Sequence, residues 1–108
     1  MELVARLRRD ALDGRGVTPP ELRRAVEARA AELGGRHGAA AGEIPANLRG
    51  YVDAVARHAY RITDEDLAAL RRAGYSEDAI FEISISAALG AGLARLERGL
   101  AALVGEER

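Results

Sequence analysis

Glu82 is the residue whose neighbours most invite chemistry. It is flanked by Ile80, Phe81, Ile83 and Ile85, and a carboxyl group drawn out of water by such side chains has a raised pKa suited to acid–base work. His58 and Tyr60 stand together at the end of an earlier helical stretch and could join Glu82 across a core. The expected catalytic set is therefore Glu82, His58 and Tyr60. An unpartnered, desolvated Glu82 would bind its proton more tightly when folded, so stability would fall as pH rises past about 4.3. The competing roles are structural. Glu82 could pair with an arginine or histidine or face solvent, and His58 could serve as a cation at a helix C-terminus.

Other chemistries lack their residues. The chain has no cysteine, which excludes disulfides, thiolate metal ligation and thiol catalysis. Its two histidines, His37 and His58, have no second ligand at helical spacing; around His58 those positions are Ala54, Val55, Arg61 and Ile62. No metal and no cofactor is expected. Gly34-Gly35-Arg36-His37-Gly38 follows a helical stretch rather than a strand and lacks the Lys-Ser/Thr end of a phosphate loop, so it reads as a linker. Ser76 is explained as a helix cap, and Ser84 and Ser86 lie in an apolar helix where hydroxyls bond back to the chain.

The elements that must position these residues are helical. Apolar positions recur at helical spacing and no stretch alternates with period two. Leu3, Val4, Leu7 and Ala11 stripe a first helix that ends at Gly14 and Gly16. Thr18-Pro19-Pro20-Glu21 reads as the capped start of a second, continued by Leu22, Val26, Arg29, Ala30 and Leu33. Residues 34–43 form a Gly-rich connector, after which Leu48, Tyr51, Val52, Val55 and Ala59 mark a third helix with an Asp53–Arg57 pair on its wet face. Thr63 and Asp66 cap a fourth, with Ile62 and Leu67 as a hydrophobic staple. Gly74 and Tyr75 close it as a Schellman ending. Ser76 starts the fifth helix, from Glu77 to about Val104. It is apolar on every side between Ala79 and Ala94 apart from Glu82, so it must be surrounded. It also carries small residues four apart, Ser84-Ala88-Gly92 and Ser86-Gly90. The expected fold is all-α, about five helices in one compact domain. Residues 1–44 form an N-terminal segment and connector, and residues 45–108 the core.

Composition narrows the function. The chain carries 16 Arg, 23 Ala, no Lys and only four aromatics, with a net charge of −1. Residues 1–44 hold 8 Arg against 7 acids and residues 45–108 hold 8 against 10, which suggests no basic face for nucleic acid. A helix-turn-helix over Thr63 to Leu93 would present Ile80, Phe81, Ile83 and Ile85 where base-reading residues belong. Charges interrupt the first ten residues, so no secretion signal is read there. The longest uncharged run, Ile83 to Ala94, is 12 residues, short for a bilayer. A cytoplasmic protein without membrane or nucleic-acid partners is expected.

The run Ile62 to Glu82, a capped helix, a Gly turn, a Ser-acid-acid start and an apolar helix, continues to Gly90-Ala91-Gly92-Leu93-Ala94-Arg95-Leu96. Over roughly residues 45–104 it resembles the carboxymuconolactone decarboxylase and AhpD-like alkylhydroperoxidase superfamily. The resemblance implies an all-helical fold and homo-oligomers, often trimers or hexamers. The peroxidase branch needs a Cys-x-x-Cys pair with a following His. Here the same spacing holds Tyr51, Ala54 and His58, or else residues 45–104 match only the helices after that motif. Peroxide reduction by a disulfide relay is excluded. Two expectations follow. One is an oligomeric helical module joined through residues 77–104, acting without thiol chemistry as an accessory partner of an oxidoreductase. The other is a small decarboxylase or isomerase using Glu82 and His58 as acid and base.

Overall fold

A computed structural model describes residues 2–36 and 42–105. Among them are five α-helices, one 3-10 turn and no strand: α1 (Glu2–Asp13), α2 (Pro20–Leu33), α3 (Ala46–His58), the turn Ala59–Arg61, α4 (Asp64–Arg72) and α5 (Glu77–Leu103). His37 lies outside the described residues, as does the middle of the Gly-rich connector.

The caps of α4 and α5 form as their sequences dictate. The Asp66 amide donates to the Thr63 hydroxyl, and the Thr63 amide to the Asp66 carboxylate, a reciprocal capping box. Gly74 takes a φ of +104°, the Tyr75 amide reaches the Leu70 carbonyl and the Gly74 amide that of Arg71, the two bonds of a Schellman ending. Ser76 then accepts from the Ala79 amide. α2 starts differently from the expectation. Its first residue is Pro20, so Thr18 lies outside the helix and caps nothing; its hydroxyl is engaged by Glu82 instead.

α2 and α5 make the most extensive contact of the fold. They run in the same direction, with Thr18 beside Glu82 and Gly35 beside Arg98. The helices touch backbone to backbone at Gly90, where an added Cβ would stand 2.2 Å from the Glu27 carbonyl oxygen. Ala25, Val26 and Ala30 of α2 share one core with Leu48, Val52 and Ala56 of α3, Leu70 of α4, and Ile80, Ile83, Ala87 and Ala91 of α5. Through α2 the N-terminal segment thus contributes to the core. The Ser86-Gly90 line is filled by α2, so the second row of small residues on α5 is used within the chain.

Two expected faces lie elsewhere. Leu3 and Leu7, read as the inner stripe of α1, are exposed, and Leu12 is its one buried residue. Asp53 is held chiefly by α2, with the Arg57 charge adding a smaller effect. It receives both arms of Arg29 from α2, at 3.0 and 2.9 Å, and that bond holds the Asp53 carboxyl below its usual range.

Candidate functional site

Glu82 is partnered. Its Oε2 accepts from the Val17 amide at 2.8 Å, and its Oε1 accepts from the Thr18 amide at 2.9 Å and the Thr18 hydroxyl. Gly16 permits this approach, because a Cβ there would fall 2.6–2.8 Å from the carboxylate. Burial pushes the Glu82 carboxyl up, but the Thr18 hydroxyl, the Val17 and Thr18 amides and the Arg23 guanidinium outweigh it and hold it below the ordinary value. The expected raised pKa is therefore corrected in sign. Three donors on the charged form favour ionisation more than the apolar neighbours oppose it. The physical role is a staple from α5 to the loop before α2.

The linkage reverses accordingly. A depressed folded pKa contributes stability that is present above the unfolded value of about 4.3 and is lost as pH falls through the folded one. Glu82→Gln keeps one acceptor but turns an amide N–H₂ toward one of the two backbone donors. It is expected to cost about 1–2 kcal/mol at pH 7, and less at pH 3, below the unfolded value. Urea unfolding of both proteins at the two pH values checks this; an equal difference at both would contradict it.

His58 and Tyr60 do not meet Glu82. α3 runs alongside α5 with the Tyr51 hydroxyl on Ser84 and the Ala56 carbonyl on Arg95. His58 is therefore level with the far part of α5, thirteen or more residues past Glu82, about 20 Å along the helix. Tyr60 is 84% exposed, with the Arg61 guanidinium 5.9 Å from its ring centre. The expected acid–base constellation is not assembled within one chain. Ser84 and Ser86 bond back to the carbonyls of Ile80 and Glu82, as hydroxyls in an apolar helix should. Among the described residues no three His, Asp or Glu side chains converge where a metal could bind.

Two buried charges went unread in the sequence. Arg23 is 3% exposed and donates to the carbonyls of Ala11 and Gly14, closing the end of α1. Glu27 is 2% exposed and takes both arms of Arg8, at 2.8 and 3.1 Å, with Arg36 at 3.6 Å from the same carboxylate. Arg36 also reaches Glu97 at 3.2 Å. This network forms the polar wall of a cleft of about 590 Å³ between α1 and α5, whose apolar wall is Val4, Leu93 and Leu100. Arg8 and Arg36 direct their donors to acids of the chain itself, so the network joins α1, α2 and α5. The available signal was the i,i+4 pair Arg23 and Glu27 on a helix otherwise rich in alanine.

Among the described residues, the outward face of α5 is left uncovered. Phe81 is 66% exposed and Leu103 82%, with Ile85 and Leu96 also exposed between them. Ala88, Gly92 and Gly99 separate these large residues on the same face, and a Cβ added to Gly92 or Gly99 meets nothing within 4 Å. The other helices of the chain cover only one side of α5. Its 27 residues are, by length and composition, apolar enough to cross a membrane, although 44% of the most apolar stretch is buried within the chain. The uncharged run therefore understates the helix, because the few charges beside it do not break its apolar character. No family model matches this chain, and neither a curated protein nor a solved structure matches it.

Proposed function

We propose that the protein is a helical module that works as a homo-oligomer joined through the outward face of α5. The observation that carries this reading is the line of large apolar side chains, Phe81, Ile85, Leu96 and Leu103, lying open along that helix. A soluble monomer rarely exposes so continuous an apolar surface unless something binds there.

The AhpD-like pattern of residues 45–104 belongs to this proposal, since oligomers are what that resemblance implies. The module acts without thiol chemistry, because the chain has no cysteine to form a sulfenate or disulfide. A role beside a separate oxidoreductase, in the cytoplasm, is the setting that fits a cysteine-free relative.

Gly92→Leu tests the reading. Position 92 is open in the single chain, so the variant should fold with unchanged helix content. Overpacking the contact by about 1–3 kcal/mol should weaken self-association roughly 5- to 150-fold in sedimentation equilibrium. A dissociation constant equal to that of the parent would remove this face from the interface.

A further inference from the structure

We infer that two copies pair α5 against α5 in opposite directions, around a two-fold axis at Gly92. The inference rests on the oligomeric reading above and specifies its geometry. Counting outward from Gly92, the face repeats at four, seven and eleven residues on both sides: Ala88 and Leu96, Ile85 and Gly99, Phe81 and Leu103. Reversing the helix about Gly92 therefore maps the face onto itself. Each residue i then meets j while j meets i, as an isologous contact requires.

Side-chain size favours that register. In the antiparallel pair Ile85 faces Gly99 and Ala88 faces Leu96, a large residue opposite a small one in both inner layers. Phe81 and Leu103 close each end, and the two Gly92 backbones meet at the centre. In a parallel, in-register pair each residue would meet its own copy. Ile85 would then abut Ile85, while Ala88 and Gly92 left a gap between two turns of helix. Close packing needs large and small residues to alternate across the contact.

Period and charge agree with size. The face recurs every 11 residues, at 81, 92 and 103, or about 3.67 residues per turn. This nearly matches a straight helix, so the face stays on one side of α5 from Phe81 to Leu103, about 33 Å. Glu77 and Asp78, both exposed, flank its start. Parallel pairing would bring both acid pairs together at one end. Antiparallel pairing separates them by the length of the helix and sets the positive end of one dipole beside the negative end of the other. Leu7 of α1, exposed beside Phe81 and Ile85, widens the apolar surface offered to the second copy.

The chain has no cysteine, so Asp78→Cys creates a single labelling site at an exposed position. With a nitroxide there, dipolar spectroscopy of the dimer should read a distance of about 40 Å, twice the 14-residue offset from Gly92. A distance below about 25 Å, or a mass of three chains, would overturn the antiparallel two-fold while leaving self-assembly in place. A mass of one chain with no dipolar signal would overturn both. Flotation of a one-chain species with neutral phosphatidylcholine vesicles would overturn both as well, by giving the face to lipid. If Asp78→Cys fails to fold, Glu77→Cys reads the same geometry at about 45 Å.

Discussion

Gly90→Ala is expected to destabilise the chain by about 2–3 kcal/mol, whereas Gly50→Ala, at an open position of α3 away from the proposed contact, should be neutral or stabilising by up to about 1 kcal/mol. Both substitutions improve helix propensity by the same amount, so their difference isolates packing. At Gly90 the new Cβ would stand 2.2 Å from the Glu27 carbonyl oxygen and 3.1 Å from the Ala30 Cβ. The obstacle is the backbone of α2, which cannot rotate away as a side chain would. α2 and α5 would have to separate, loosening the contact on which Val26, Ala30 and Ile83 depend. At Gly50 the Cβ meets nothing within 4 Å. Thermal unfolding of the two variants beside the parent reads the difference; equal melting temperatures would contradict the close crossing.

Arg8→Met is expected to cost about 2–3 kcal/mol, a large effect for an arginine on the outer helix. Arg8 is the two-armed partner of a carboxylate that has almost no access to water. The bond to Glu27 raises the Arg8 pKa further, so Arg8 stays charged. Methionine keeps most of the aliphatic length of Arg8 but leaves the buried Glu27 charge with Arg36 alone, at 3.6 Å. Removing one member of a buried pair costs more than the pair contributes, because the other member stays desolvated. Arg36 moderates the loss. Chemical unfolding at pH 7 measures it, and a variant within about 0.5 kcal/mol of the parent, as surface substitutions are, would contradict the assigned burial.

What was legible in the sequence depended on distance along the chain. The start and stop of α4 and the start of α5 rest on Thr63 with Asp66, Gly74 with Tyr75, and Ser76 with Ala79, partners within five residues of one another. Local rules suffice for these, and the observed bonds follow them. The all-helical class was legible for the same reason, since a period of 3.6 is a local property. Glu82 is only half legible. Its apolar neighbours in sequence point to desolvation, while its donors come from Val17 and Thr18, 65 and 64 positions earlier. Arg23 and Glu27 are not legible as buried, since charged side chains on a helix are ordinarily solvated. Only the packing of α1 and α5 on both sides of α2 buries them. His58 and Glu82 were joined on residue type alone, and the direction of α3 along α5 keeps them apart.

The α5 face joins the two scales. Its apolar character all round was plain in the sequence, and the expectation was that it must be surrounded. The chain surrounds one side, through Ser86, Ala87, Gly90, Ala91 and Ala94, and leaves Phe81, Ile85, Leu96 and Leu103 open. The remaining cover belongs, in this account, to a second copy. Light scattering on the eluting peak of the unmodified protein at micromolar concentration tests that claim most directly. The expected mass is at least twice the 11.5 kDa of one chain; a peak at 11.5 kDa across that concentration range would contradict it.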